Sequence, residues 1–333
     1  MGINVGNKII HLALVLIFLI SFTSIANAGK ETMIITSRLT LGTSIYGNIV
    51  TWSDTFGNGV FMYNLTTGNI TLIGHAGNSP SIQGDKITWW DERNVIAYNI
   101  STGKEIKIDN ASAPAIYGDN LVYVKSKSAD GQPVYYQNDQ YNGLYLYNLS
   151  TNDETQLTPY EHATYSASIY GNKVVWERTD QVNSSGWSTN ISIYDISTKR
   201  GSDISRTGRA GGGKIYGNIV VWIEYKNGLM NVMDVYMRDI AKHETRQVTF
   251  DGNSTNPDVY GDRIVWEREY WIGNNFASDI YMYNISTNET TLITNSTYAG
   301  EPAIYDDKVV YIDTRNDPEY QEYRDIYLYN LSA

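Results

Sequence analysis

Pro-Ala-Ile-Tyr-Asp-Asp-Lys-Val-Val-Tyr at residues 302–311, followed by Asp-Ile-Tyr-Leu-Tyr-Asn-Leu-Ser at residues 325–332, is the clearest copy of a phrase that the chain repeats seven times. The core of the phrase is Ile-Tyr-Gly or a close variant, and it begins at Ile45, Ile82, Ile116, Ile169, Ile215, Val259 and Ile304. A repeat of roughly 40 residues is one supersecondary unit that cannot bury its apolar faces alone. The seven copies are therefore expected to stack on one another.

Each copy contains four short segments with strand character, called A to D below. In the sixth copy we predict them at residues 257–260, 263–267, 279–284 and 289–294. Gly261-Asp262 between A and B has the composition of a tight hairpin turn, and so does the Asn-Ile-Ser-Thr stretch that begins at Asn284 between C and D. Each unit is therefore an antiparallel four-stranded meander.

Strand B is almost continuously apolar, as in Lys-Val-Val-Trp at residues 173–176, which indicates a sheet covered on both faces. Four-stranded units of about 40 to 45 residues are typical of propeller blades. The seventh copy lacks strand D, and Glu-Thr-Met-Ile-Ile-Thr at residues 31–36 closely matches strand D of the sixth copy. We predict an all-β, seven-bladed β-propeller of four-stranded antiparallel blades, closed by the N-terminal strand completing the last blade.

The beginning of the chain predicts export. Residues 1–28 carry Lys8 as their only charge before an apolar run and end in the small residues Ala-Asn-Ala, as a secretory signal peptide does. Residues 29–333 form the single propeller domain, and we expect it to be secreted or at the cell surface, without membrane insertion after signal cleavage. There is no cysteine, so no disulfide framework is possible.

The charge of the mature chain disfavours some partners. Removing residues 1–28 leaves 24 basic and 36 acidic side chains. An acidic surface repels phosphate backbones and anionic lipid, so we expect no nucleic-acid partner. The acidity also has a simpler interpretation, which is solubility.

The repeated pattern resembles a known family. Ile-Tyr-Gly-Asp/Asn-x-Val-Val-Trp, then Asp-Ile-Tyr-Met-Tyr-Asn-Ile/Leu-Ser-Thr, then Glu-Thr-x-Leu-Thr is similar to the β-propeller repeats of secreted cell-surface proteins of methanogenic archaea, which are related to TolB-like propellers. The resemblance covers residues 31–333, with Gln83 in place of the tyrosine in the second blade. It implies an extracellular or envelope location and a binding or structural role, and it supplies no catalytic motif.

The B to C and D to A connections share one face of a propeller, and here the B to C connections are long and different from blade to blade. We predict loops at residues 125–143, 178–189, 224–233, 268–278 and 313–324. Variable loops on a rigid scaffold often bind ligands, and aromatic side chains suit sugar rings or protein partners. The candidate ligand-binding residues are Tyr135, Tyr136, Tyr141, Trp187, Tyr225, Tyr270, Trp271, Phe276, Tyr320 and Tyr323. Alternatively, the same aromatics fold back to cap the core.

The opposite face carries Asn-x-Ser/Thr sequons in equivalent C to D turns. The candidate glycosylation sites are Asn64, Asn99, Asn148, Asn284 and Asn330. Asparagine, serine and threonine are also turn formers, so the sequons have a second, purely structural interpretation.

The sequence offers little catalytic chemistry. His75, His162 and His243 fall in separate units or on opposite faces, so we expect no metal site and no cofactor. We therefore predict that the chain is not an enzyme but a binding or structural propeller that recognises an envelope glycan or surface protein. The alternative is a glycosidase or lyase that uses a pair of carboxylates at the rim, where Asp54, Asp91, Glu224 and Asp313 follow strand B.

Overall fold

The computed structural model describes residues 29–38, 40–54, 59–91, 93–127, 141–159, 164–183, 186–226, 232–319 and 323–332. These residues form seven antiparallel sheets of four strands each. The first strands of neighbouring sheets contact one another around a closed ring, whereas the last strands are largely exposed. The prediction of a seven-bladed β-propeller is confirmed. The predicted signal peptide lies outside the described residues.

The strands follow one another blade by blade along the chain. Blade 1 holds β2 (Thr40–Tyr46), β3 (Ile49–Asp54), β4 (Gly59–Asn64) and β5 (Asn69–Gly74); blade 2 holds β6 (Asn78–Gln83), β7 (Lys86–Trp90), β8 (Asn94–Asn99) and β9 (Glu105–Asp109). Blade 3 holds β10 (Ser112–Tyr117), β11 (Asn120–Lys127), β12 (Tyr141–Asn148) and β13 (Asp153–Gln156); blade 4 holds β14 (Thr164–Tyr170), β15 (Lys173–Asn183), β16 (Gly186–Asp195) and β17 (Arg200–Asp203). Blade 5 holds β18 (Ala210–Tyr216), β19 (Ile219–Tyr225), β20 (Met233–Asp239) and β21 (Glu244–Gln247); blade 6 holds β22 (Ser254–Tyr260), β23 (Arg263–Ile272), β24 (Asn275–Asn284) and β25 (Glu289–Leu292). Blade 7 holds β26 (Ala299–Tyr305), β27 (Lys308–Asp313), β28 (Asp325–Asn330) and, from the other end of the chain, β1 (Lys30–Ile35).

The last blade closes the ring as the sequence predicts. Strand β1 pairs antiparallel with β28, in a register that places Glu31 opposite Tyr329. Because β1 occupies the position of a strand D, the sheet edge of blade 7 is paired by the chain's own N-terminal segment.

Two of the predicted loops are in fact strands. In blade 6, β23 and β24 continue their pairing as far as Ile272 opposite Asn275, and in blade 4, β15 and β16 pair as far as Asn183 opposite Gly186. The two-residue turn at the end of the blade 6 hairpin begins with Gly273, whose φ of +63° favours glycine. The Arg268–Ser278 and Arg178–Thr189 segments are therefore β-hairpin arms rather than irregular loops, because the backbone ladder continues beyond the repeat.

The core lies between the blades. Trp222 of β19 is 1% exposed and packs with Val175 and Ile191 of the preceding blade. Equivalent strand B aromatics are buried in the other blades, and each such side chain contributes roughly 1.5–3 kcal/mol by leaving water.

A ring of tyrosines surrounds the centre of the propeller at the A to B turn face. The last residues of six inner strands form it, with neighbouring ring centroids 4.3–4.8 Å apart: Tyr117, Tyr170, Tyr216, Tyr260, Tyr305 and Tyr46. Gln83 takes the seventh position, and its Oε1 accepts a hydrogen bond from the backbone N–H of Gly118 at 2.8 Å.

Among the described residues, no helix is long and apolar enough to cross a membrane.

Candidate functional site

The hairpin arm of blade 6 exposes a pair of aromatic rings. Trp271 and Phe276 are opposite one another in the ladder, and their ring centroids are 5.7 Å apart in an edge-to-face arrangement of 79°. Trp271 is 68% exposed and Phe276 50%, and the neighbouring Ile272 is 53% exposed. Aromatic residues are normally buried, so an exposed pair on a hydrogen-bonded arm is a candidate recognition surface.

Tyr270 has a different role on the same arm. Its hydroxyl donates a hydrogen bond to the carboxylate of Asp279, and burial together with this bond raises the pKa of Tyr270. Asp279 also accepts a hydrogen bond from the backbone N–H of Thr297 at 3.0 Å. Tyr270 and Asp279 thus fix the base of the arm to the connection that leads into blade 7.

The other predicted aromatics are distributed around the face. Tyr225 at the end of β19 is half-buried, and burial and the nearby Glu177 raise its pKa. Tyr323 is 41% exposed and lies beneath the guanidinium of Arg38, 5.7 Å from the ring centroid. Tyr141 begins β12 and Trp187 lies in β16. Tyr135, Tyr136 and Tyr320 lie outside the described residues.

The four predicted rim carboxylates belong to different blades, and each has a partner close by in the fold. Asp91 accepts hydrogen bonds from the backbone N–H groups of its own turn. Glu224 accepts one from the indole Nε1 of Trp222 at 3.1 Å, and Asp54 accepts one from the hydroxyl of Ser37. Asp313 is fully buried and forms an ion pair of 2.6 Å with Arg315. Each of these contacts is local to one blade or to the segment that leads into it, and none of them joins two of the four carboxylates.

Sequence reasoning missed two glutamates near the inner strands, of which Glu267 is buried and Glu177 half-buried. Glu267 of β23 is 8% exposed, and its Oε2 accepts hydrogen bonds from Asn256 Nδ2 at 2.9 Å and from the backbone N–H of Glu301 at 3.2 Å. A Cβ atom at Gly300 would lie 2.9 Å from this oxygen, so a larger residue there would require the Glu267 carboxylate to shift. Burial raises the pKa of Glu267.

Glu177 of β15 repeats this arrangement in blade 4. Its Oε2 accepts a hydrogen bond from the backbone N–H of Gly212 at 3.2 Å, and burial raises its pKa. The residue that follows the strand B aromatic in the other five blades is Ser53, Trp90, Val124, Ile223 or Ile312. The departure of Glu177 and Glu267 from this pattern is the signal that could have identified them.

A third glutamate, Glu301, extends these hydrogen-bond contacts to blade 1. Glu301 has a φ of +52°, and its Oε2 accepts a hydrogen bond from the backbone N–H of Gly42 at 3.0 Å. Glu267, Glu301 and Gly42 therefore connect blades 6, 7 and 1 on the inner side of the ring. Among the described residues no group of three or more His, Cys, Asp or Glu side chains is arranged to hold a metal ion.

The five predicted glycosylation asparagines lie at the ends of their C strands, in the turns where the repeat places them. The Oδ1 of Asn284 accepts hydrogen bonds from the backbone N–H groups of Ser286 at 2.8 Å and Thr287 at 3.0 Å. Equivalent bonds form at Asn64, Asn99, Asn148 and Asn330. The structural role is thus seen in each turn, and glycosylation stays a prediction.

Comparison with known proteins connects this chain to others through its fold. No family model and no curated protein sequence matches it. Among solved structures, the oligogalacturonate lyase of Vibrio parahaemolyticus superposes with a TM-score of 0.67 at 12% identity, over 92% of this chain and 94% of that one. An oligogalacturonate lyase in complex with manganese gives a TM-score of 0.66 at 12% identity over the same shares. The β-propeller domain of the Trilobed protease from Pyrococcus furiosus gives 0.67 at 12% identity, over 88% of this chain and 95% of that one, and is described as having an open velcro topology. At this identity the likeness shows a common propeller fold, and in the present chain β1 pairs with β28.

This finding corrects one prediction. We expected from the missing catalytic motifs that the chain is not an enzyme, but structures that superpose on nearly its whole length include two lyases. The argument from motifs was wrong because one fold can host several functions, and the absence of a familiar motif does not exclude an enzyme.

Proposed function

We propose that this propeller is an exported envelope module that binds a glycan on the face bearing the hairpin arms. The observation that supports it is the exposed Trp271–Phe276 pair on the blade 6 arm. Sugar rings present flat C–H faces that pack on aromatic rings, and an arm held by backbone hydrogen bonds loses little conformational entropy on binding.

The experiment measures binding of purified residues 29–333 to polysaccharide isolated from the cell envelope of the source organism. Trp271→Ala and Phe276→Ala are expected to weaken binding by about tenfold each, because each removes a large contact surface. Ile70→Ala is the matched control, since Ile70 is 56% exposed but lies on the outer strand of blade 1. No binding to the polysaccharide, or binding that Trp271→Ala and Phe276→Ala leave unchanged, would contradict glycan recognition by this arm.

A second candidate function is a carbohydrate-active enzyme, favoured by Glu267. A buried carboxyl group whose pKa is raised keeps its proton to a higher pH than an exposed one does, and glycoside cleavage requires a carboxylic acid that donates a proton. The test incubates the protein with envelope polysaccharide and follows new reducing ends and unsaturated products. Glu267→Gln should abolish any turnover while the exposed control Glu244→Gln retains it. Turnover that survives Glu267→Gln would exclude this residue as the catalytic acid.

A further inference from the structure

Blade 4 departs from the other blades in its aromatic packing. In five blades the aromatic side chain of strand B lies beside an aromatic side chain of strand C, with centroids 5.5–6.1 Å apart and interplanar angles of 10–25°: Trp52–Phe61, Tyr123–Tyr145, Trp222–Tyr236, Trp266–Tyr281 and Tyr311–Tyr327. In blade 2 the bulky Ile96 takes the place of the second ring. In blade 4 the residue opposite Trp176 is Ser192.

The small residues of blade 4 leave a cleft between blades 3 and 4. Its volume is about 660 Å³, and Trp176, Ser192 and Gly201 line it where five of the other blades carry a second ring. Thr158 and Pro159, from the connection that follows blade 3, also line it. The cleft is therefore large enough for a ring-sized group beside the edge of the Trp176 indole.

The polar wall of the cleft is held in place by its own contacts. The Arg178 guanidinium forms ion pairs with Asp180 at 2.8 Å and with Asp203 at 3.0 Å. The hydroxyl of Ser192 donates a hydrogen bond to Asp203 at 2.8 Å. In blades 3, 6 and 7 the basic side chain near this position lies over the tyrosine of strand C instead, as Arg315 lies 4.2 Å from the centroid of Tyr327.

A further cation stands at the edge of the cleft. Arg206 lines it, is exposed, and has no hydrogen bond or ion pair within the part of the chain that the structure describes. Fixed carboxylates accept hydrogen bonds from hydroxyl groups, and a guanidinium binds carboxylate or sulfate in a bidentate manner. Ordered donors and acceptors around the slot suit a polyhydroxylated ring better than the side chain of a hydrophobic residue.

We propose that the cleft between blades 3 and 4 binds one sugar residue of an acidic saccharide, with its ring beside Trp176 and its anionic substituent on Arg206. This inference rests on the proposed function in that it assigns a ligand class to the same face, but it uses residues remote in sequence from the blade 6 arm. An experiment can therefore disprove the cleft site without disproving the blade 6 arm, and the reverse.

The first test variant fills the cleft with the aromatic ring that most other blades carry at this position. Ser192→Tyr is expected to lower affinity for a uronate tetrasaccharide at least tenfold, because the new ring occupies the sugar's position. Arg206→Gln is expected to lower it about tenfold, as loss of one charge-assisted hydrogen bond does. Arg209→Gln, an exposed arginine three residues away, is the matched control and should bind like the unmodified protein.

Three ligands distinguish a carboxylate from a sulfate as the anionic group that binds in the cleft. A uronate tetrasaccharide, a sulfated one and the matching neutral one are each titrated against the same proteins, and the loss caused by Arg206→Gln should be confined to the charged ligands. Because Arg206 is exposed, its variant remains informative even if Ser192→Tyr does not fold. Unchanged binding by both variants would overturn the proposal that the cleft binds the saccharide. If Trp271→Ala abolishes binding in that case, the proposed glycan recognition by the blade 6 arm stands. Losses in both variants, with Trp271→Ala without effect, support the cleft and overturn the blade 6 arm as the glycan site.

Discussion

The backbone N–H of Glu301 donates a hydrogen bond of 3.2 Å to the carboxylate of Glu267, across the boundary between blades 7 and 6. This contact places a buried acid against the inner strand of the next blade. Burial raises the pKa of Glu267 above its ordinary value of 4.5, so the folded protein holds this proton at a higher pH than the unfolded chain does.

The first prediction follows from the sign of that shift. The contribution of Glu267 to stability is fully present below about pH 4.5 and is lost as the pH rises through the raised pKa. Glutamine cannot ionise, so Glu267→Gln should be more stable than the unmodified protein at pH 7, by on the order of 1 kcal/mol, and nearly equal at pH 4. Denaturant unfolding at the two pH values measures this. A loss of stability at pH 7 that is absent at pH 4 would mean instead that the ionised carboxylate makes a favourable contact.

The second prediction concerns ring closure. Glu31 of β1 accepts a hydrogen bond from the hydroxyl of Tyr311 and forms an ion pair of 2.8 Å with Arg315. Burial alone would raise the pKa of Glu31, but these partners outweigh it and the pKa is lowered. The stabilising contribution is therefore present above about pH 4.5 and is lost as the pH falls through the lowered pKa.

Glu31→Ala should cost about 1 kcal/mol at pH 7, since partial exposure screens the pair, and less at pH 3. Thermal unfolding at both pH values provides the measurement, and Glu289→Ala, on the exposed outer strand of blade 6, is the control. No difference between the two variants at pH 7 would show that β1 closes the ring through its backbone alone.

The third prediction concerns the tyrosine ring. Burial and hydrogen bonds between neighbouring hydroxyls raise the pKa of Tyr216 and Tyr305. Each group contributes stability below its ordinary pKa of about 10 that is lost as the pH rises through the higher folded value. Stability should therefore fall between pH 9 and 11, and Tyr216→Phe should reduce that fall. Phenolate absorbance during an alkaline titration follows the ring directly, and ionisation of all tyrosines near pH 10 in the folded protein would contradict it.

The fourth prediction concerns the A to B turn of blade 7. Six blades have glycine at its first position with φ near +60°, as Gly47 and Gly261 do, whereas blade 7 has Asp306 with a φ of +53°. A non-glycine residue in this conformation is strained, so Asp306→Gly should raise stability by about 0.5–1 kcal/mol. The melting temperature tests it, with Asp307→Gly as a neighbouring substitution expected to destabilise, since Asp307 forms an ion pair of 2.7 Å with Lys308.

The repeat predicts the blades because every copy has the same pattern of apolar strands and turn residues, and so must pack in the same way. The phrase around Ile304 and the match of residues 31–36 to strand D were sufficient for the fold and its closure. The hairpin arms were not predicted, because Trp271 and Phe276 lie beyond the repeated phrase and have no second copy for comparison. Glu267 and Ser192 were missed for the opposite reason: each occupies a repeated position, and only its difference from the other blades carries information.

The pairing of β1 with β28 also has a consequence for the time course of folding. Glu31 and Tyr311 are separated by 280 positions, so at translation rates of roughly 5–20 residues per second the N-terminal strand waits about 15–60 s for its partner. During that interval six blades can form while the seventh is absent and two inter-blade surfaces remain exposed to solvent. Synthesis thus passes through a nearly complete, open ring whose strand edges are accessible to other chains, and the rate at which the last blade is delivered limits how long that aggregation-prone species persists.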